Sequence, residues 1–506
     1  MNGGETIALT VRQRMLRCSE RLEEWTGWFP FGRAVLLLLL LALAAGGYLL
    51  LHPPERPRAG LRMWVFANSH LLNYSDLIPS YEASHPGVTV DLQLVQMNAV
   101  TYRLRAALWS DLEAPDLVEV EISRAGSFFQ GPPEEVGFVD LTPYLERKAP
   151  DGRPWREKIV ASRLKPYSVF RDGREYIFGL PHDVHPVMLA YRWDILEAEL
   201  ERLRKLDAAT FGRFRSPEDL ATWDDFHLVG LGVTREVQDE RGKRMQYMME
   251  FSEEDSRSFE VLLHQAGGGL FDARGAVTFD SECAVQVLLR LVRMLAGPKR
   301  IAKDLGWPNW ARAVGDQAYL CWVAPDWRSK GAEYEIPQVS GKMKLMPLPA
   351  FEPGGRRTST WGGTMAGITR RCQREGRADQ AWELVTHLYF DRQFFAQRFL
   401  NSHILPPIKD LWNDPVMDQP SAYYSGQKVG RMYLDLAEQT PPQYSSPFVE
   451  LAKDKAGQAV GKCVKFYRDS PATGPKELEE FARRTLAESA EDVRRRLNRD
   501  PFRGAP

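Results

Sequence analysis

Aromatic rings set beside small polar residues at breaks in the chain are the pattern here that could do chemistry. Trp327 follows Pro325-Asp326, Trp361 precedes Gly362-Gly363-Thr364, and Tyr423-Tyr424 precede Ser425-Gly426. Such a ring covers the apolar face of a sugar while polar neighbours take its hydroxyls. The same rings would serve as core packing, the simpler reading for Trp64 and Phe66, which share one face of a strand. The carboxylate pairs Glu119/Glu121 and Asp224/Asp225 would suit glycoside hydrolysis only at a spatial separation that sequence does not supply. No GxSxG, HExxH, P-loop or strand-linked GxGxxG is present. Gly267-Gly268-Gly269 and Gly362-Gly363 lack the Gly-Lys-Ser/Thr ending of a phosphate loop. Binding rather than catalysis is expected, with no catalytic residue, no metal and no cofactor. Of five cysteines, none forms a CxxC or zinc-type spacing. Cys283, Cys321, Cys372 and Cys463 would be open to disulfide formation in an oxidising compartment. Their wide spacing, with Cys283 on a helical pattern, favours buried free thiols.

The elements that must position these residues follow from periodicity. A strand over Leu61–Phe66 leads into Asn68-Ser69 as a helix cap, then apolar positions at helical spacing (Leu71, Tyr74, Leu77, Ile78, Tyr81) interrupted by Pro79 and stopped at His85-Pro86-Gly87. Val88–Val95 alternates as a second strand, Tyr102–Trp109 reads as a helix, and Pro115–Val120 as a third strand. This strand–helix succession predicts a parallel α/β sheet. The middle is more helical: Asp194–Leu206, Glu254–Gln265, a helix capped by Ser281, and Ala378–Phe399. Lys476–Leu497 is amphipathic. Breaks at 179–186, 325–331 and 354–367 are candidate crossings between two lobes, which a chain of 506 residues requires.

One stretch stands apart. Ala34–Leu51 carries no charge and as a helix would rise roughly 27 Å, close to a bilayer core. It reads either as a membrane anchor or as a signal peptide cleaved near Ala42-Leu43-Ala44. The apolar run past that point and the long segment before it favour the anchor. Arg12, Arg14, Arg17, Arg21 and Arg33 precede it and Arg56, Arg58 and Arg62 follow, which favours the N-terminus inside. Cys18 then reads as a free cytosolic thiol, and the Pro-rich segment 53–60 as a stiff linker. The formal net charge of −1 supplies no basic footprint for nucleic acid.

Several blocks carry a family resemblance: WVFANSHLLNYSDLIPSYEASHPGVTVDLQLV (64–95), APDLVEVEI (114–122), GFVDLTPYL (137–145), YIFGLPHDVHPVMLAYRWDIL (176–196), GGGLFDARGAVTFDS (267–281), APDW (324–327) and GKMKLMPLPAFEPGGRRTSTWGGTMAGIT (341–369). In their order and spacing the chain resembles family 1 of the extracellular solute-binding proteins, the sugar-binding, maltose-binding-like components of bacterial ABC transporters. The last block looks most like the arabinose or arabino-oligosaccharide subgroup. The resemblance implies a two-lobed α/β fold of periplasmic-binding-protein type II with a hinge, a mono- or oligosaccharide in the interlobe cleft, and closure recognised by permease subunits. It implies a first lobe from 61–180 and 324–360 and a second from 184–320 and 366–500, after a cytosolic segment 1–33, an anchor 34–52 and the linker 53–60. By motif it assigns ligand contact to Asn68, Ser69 and His70, to Glu119 or Glu121, to Asp183 between His182 and His185, to Trp327 and Trp361, to Gly362 and Gly363, which with Thr364 look like cleft or hinge backbone, and more weakly to Tyr423 and Tyr424. Family members are usually released or lipid-tethered, so the anchor is a departure. It would hold the domain at the outer face of the cytoplasmic membrane and keeps open a sensor role toward a signalling partner. A glycoside hydrolase is the remaining alternative.

Overall fold

The computed structural model describes residues 33–51, 60–110, 113–171, 173–239, 242–470 and 472–500. Cys18, the N-terminal segment and nearly all of the linker at 53–60 lie outside them. The chain forms two units, one ending at Ala59 and one beginning at Gly60. The first holds helix α1, Arg33–Leu51, 19 residues long, with Leu37, Leu38, Leu40, Leu41 and Leu43 exposed. Among the described residues no helix is long and apolar enough to cross a membrane, and the anchor expected at 34–52 is not shown.

In the second unit Ser168–Arg171 and Arg174–Ile177 form a separate antiparallel hairpin, and the remaining strands are β1 (Leu61–Val65), β2 (Val90–Leu94), β3 (Leu117–Glu121), β4 (Leu180–Pro181), β5 (Val187–Arg192), β6 (Arg235–Asp239), β7 (Gly242–Glu250), β8 (Ala302–Lys303), β9 (Tyr319–Pro325), β10 (Met343–Pro347) and β11 (Thr364–Ile368). They build two sheets. The first runs β2-β1-β3-β11-β4 and the second β8-β7-β9-β5-β10, with β6 added antiparallel on β7. The three expected N-terminal strands are parallel, β1 to both β2 and β3. Apart from β6, the antiparallel members are the strands that arrive from the other lobe: β11 on β3, and β5 against β9 and β10. Two lobes of α/β type therefore surround separate cores. One gathers Leu61, Met63, Val65, Leu117, Ile177 and Ile368; the other gathers Leu189, Tyr191, Met248, Phe259, Leu288 and Leu320.

Besides short helical turns, the helices of these lobes include α2 (Asn68–Ser84), α3 (Met97–Ser110), α4 (Ile122–Ala125), α5 (Trp193–Leu206), α6 (Trp223–Val233), α7 (Arg257–Gln265), α8 (Glu282–Leu295), α9 (Asp326–Glu335), α10 (Ala378–Phe390), α11 (Phe395–Ser402), α12 (Val429–Ala437), α13 (Val449–Asp469) and α14 (Pro475–Leu497). Pro79 is accommodated inside α2. Ser281 caps α8 by accepting from the Ala284 amide, as its sequence position predicts. The expected cap of α2 is corrected: Ala67 stands at the N-cap with no side-chain bond, and Asn68 is the first helical residue. The single helix expected over 378–399 is two, α10 and α11, because the chain leaves helical geometry at Asp391.

Chain returns also differ from the expected boundaries. β9 and β10 pair with β5 in the second sheet, so 324–347 does not join the first lobe. β11 pairs with β3 in the first sheet, and α10 and α11 pack on the first core, so 366–402 does not join the second. The break at 325–331 is helix α9, not a crossing. The crossings lie at 182–186, at 348–363 and in the stretch between α11 and α13. At the first two the backbone leaves one sheet for the other; the third runs between helices. Cys283, Cys321, Cys372 and Cys463 are free thiols.

Candidate functional site

The cavity between the lobes measures about 570 Å³. The first lobe contributes the end of β3 and the start of α4 (Glu121, Ile122, Ser123) with Met97 and Pro166. The second contributes α7, the glycine-rich turn 267–272 and Lys453 of α13. Thr360, Trp361 and Gly362 of one crossing and Pro441–Ser445 of another form its back.

Glu121 ends β3 with its carboxylate accepting from the Ser123 amide at 2.9 Å, and so caps α4. Burial raises its carboxyl above the ordinary range, against the pull of Lys453. Lys453 reaches both oxygens of Glu260, at 2.7 and 2.9 Å. Burial would lower its ammonium, but Glu260 and Glu121 together hold it above the usual value. His264, on the same wall, is pushed down to about 4 by burial and presents a neutral imidazole. The cleft thus offers carboxylate acceptors, an ammonium and a guanidinium donor (Arg257), and the rings of Trp361, Phe271 and Tyr444. That mixture of apolar faces and fixed donors and acceptors suits a polyhydroxylated solute. Among the described residues no group of His, Cys, Asp or Glu is arranged to hold a metal ion.

Of the residues singled out by sequence, Glu121, Trp361 and Gly362 line this cavity. Trp327 stands behind Trp361: its indole donates to the Trp361 carbonyl at 3.2 Å, and the rings meet edge to face at 5.4 Å. It supports the platform rather than being one. The others belong to other structures. Glu119 is fully buried, accepting from Tyr74 and Tyr389 at 2.8 Å each, with His70 Nδ1 at 2.7 Å. Burial would raise its carboxyl, yet His70 and His182 hold it low. Glu119 and His70 are therefore a polar core of the first lobe, not a ligand surface. Asn68 and Ser69 line no part of the cavity. Tyr423 and Tyr424 are buried in the second lobe, their hydroxyls donating to the carbonyls of Ile336 and Ser329.

Asp183 is not an acceptor for solute but the centre of the hinge. Fully buried, it takes the guanidinium of Arg163 at 3.0 Å, the Thr364 amide at 2.8 Å and His185 Nε2 at 3.1 Å. His185 Nδ1 meets Asp326 Oδ1 at 2.5 Å, and Asp326 Oδ2 accepts from the Leu405 amide at 2.8 Å. Burial would raise the Asp183 carboxyl, but His185, His182 and Arg163 hold it well below the usual range. Burial would lower His185, but the flanking carboxylates Asp183 and Asp326 hold it up at about 9. Arg163 also donates to Thr360 Oγ1 and Gln443 Oε1, at 3.4 and 3.3 Å, touching all three crossings. Gly363 is forced by this crowding: at φ 154° a Cβ would lie 2.6 Å from the Arg163 guanidinium and 2.9 Å from the Tyr167 hydroxyl.

Sequence reasoning missed Lys453, Arg257, His264 and the 441–445 segment, which converge only through the fold. The triplet Gly267-Gly268-Gly269, which lacks the ending of a phosphate loop, forms cleft wall.

Comparison with known proteins agrees with this architecture. The chain is 24% identical over 388 residues to an arabinooligosaccharide-binding protein of Halalkalibacterium halodurans, covering 75% of this chain and 78% of that one. It is 23% identical over 414 residues to the Bacillus subtilis protein of that name, covering 79% and 86%. Its fold is similar to that of the sugar-binding protein MalE from Xanthomonas citri, with a TM-score of 0.64 at 17% identity over 87% of this chain and 100% of the other. Residues 69–393, well over half of the chain, match the family model for bacterial extracellular solute-binding proteins, and the chain belongs to that family.

Proposed function

We infer that this protein captures a saccharide, of arabino-oligosaccharide type, and presents it to the permease of an ABC-type importer. The observation that carries this reading is the interlobe cavity in which Trp361 offers a ring face between Glu121 of one lobe and the charged wall of α7 and α13 on the other. A solute contacting both walls stabilises the closed arrangement by its differential affinity for it. The named relatives supply the sugar class. Binding without turnover is supported by the fate of the carboxylate pair: Glu121 faces the cleft while Glu119 is spent on His70, Tyr74 and Tyr389. In this reading Glu121, Trp361 and Gly362 touch the ligand, and Ala34–Leu51 tethers the domain on the outer side of the cytoplasmic membrane, close to its permease.

The test is thermal denaturation of the soluble part with arabino-, malto- and xylo-oligosaccharides. A ligand at a hundredfold excess over its Kd adds about 2.7 kcal/mol of stability, a shift of several degrees that Trp361→Ala should cut to roughly half at the same concentration. Absence of a shift with every saccharide overturns the reading. For the tether, partition of the full chain with membranes resistant to carbonate washing is expected, and recovery of a mature protein starting after Ala44 would refute it.

A further inference from the structure

A second cavity, about 550 Å³, lies wholly on the second lobe, between α6, α8 and the loop that follows β10. It is not isolated. Gly267, Cys283 and Arg356 line both it and the interlobe cavity. At Gly267, with φ 86°, nothing lies within 4 Å of the direction a side chain would take, so the junction is open. Arg356 stands at the same junction, held by the carbonyls of His264 and Gln265, both at 3.3 Å. Beyond it, Phe351 forms one wall, with the Arg290 guanidinium 5.7 Å over its ring. Arg290 is fixed by Asp224 at 2.6 Å, and Gln286 is exposed on the facing turn of α8.

We propose that the two cavities form one groove, and that the ligand is an oligosaccharide whose far units leave the cleft past Gly267 and rest on the second lobe against Phe351 and Gln286. The proposal rests on the saccharide reading of the cleft and adds a chain-length requirement to it. Its thermodynamic signature is specific. Units held by the second lobe alone are bound equally in the open and closed arrangements, and a ligand shifts an equilibrium only through differential affinity. The extension therefore adds affinity without adding closure.

The experiment is titration calorimetry of wild type, Phe351→Ala and Gln286→Ala with ladders of arabino-, malto- and xylo-oligosaccharides from the dimer upwards, paired with small-angle scattering of each complex. Wild type should gain affinity with length beyond the shortest binding saccharide, and Phe351→Ala should lose about tenfold for the longest while leaving the shortest unchanged. Gln286→Ala, on an exposed helical turn, should lose a smaller factor with the same length dependence. Compaction should be equal for short and long ligands. Affinity that is flat with length, a length-dependent gain that survives both substitutions, or greater compaction with longer ligands overturns the extended groove while leaving the cleft intact. Failure of every saccharide to bind overturns the cleft reading and the extension with it.

Discussion

At the scale of single residues, Trp361 and His185 carry opposite burdens. Trp361 presents a ring to the cleft, and an aromatic contact of this kind contributes about 0.5–1.5 kcal/mol beyond area burial. Trp361→Ala is expected to weaken saccharide affinity roughly tenfold by calorimetry, with some loss of stability because the ring also packs against the second-lobe core. Tyr424→Ala, by contrast, should lower the melting temperature without changing affinity in the folded protein, since its hydroxyl and ring belong to the core. His185 acts through stability. Its folded-state pKa of about 9 lies above the value of about 6.5 of an unfolded chain, so its contribution is complete below about pH 6.5 and is lost as pH rises through about 9. Thermal stability should decline across that window, and the His185→Gln variant should be less stable with a flatter profile. An unchanged slope in the variant would sink the assignment. The sequence exposed these residue types but not their allegiance. Asp183 and Glu121 are both acids at strand ends beside polar neighbours. Only the packing of Arg163 and His185 around one, and of open space around the other, separates hinge from cleft.

Among the elements, the short α4 and the long α13 matter most, because they meet across the mouth of the cleft. Glu450 of α13 accepts from Arg105 of α3 at 2.6 Å and lies 3.5 Å from Arg124 of α4. These are partly exposed pairs, each contributing about 0–1 kcal/mol. Glu450→Arg should therefore tilt the lobes toward the open arrangement and raise Kd severalfold, seen as a larger radius of gyration without ligand. At the hinge, Gly363→Ala forces a Cβ against a guanidinium that Asp183 already pins, and should cost about 1–3 kcal/mol, read as a lower melting temperature. The helices and first strands were legible from periodicity, and the Ser281 cap from its chemistry. The sheet assignment of β9, β10 and β11 was not. Tyr319–Pro325 is buried along its whole length, as a central strand of either sheet would be, so its pattern could not say which lobe it joins. Pairing register decides that, and register is a long-range property.

For the whole molecule, the two lobes are interleaved rather than consecutive. The first closes its core with Ile368, Leu388 and Phe399, and the second with Val460, Leu478, Leu486 and Val493 of α13 and α14. Removing everything after Asp469 should strip α14 from that core and leave a protein that aggregates or melts far below wild type, while the first lobe's sheet keeps all its strands. The order of assembly follows. Neither lobe closes its interior from one contiguous stretch: the first core waits for Phe399 of α11 and the second for Val493 of α14, long after the first strand of each has been made.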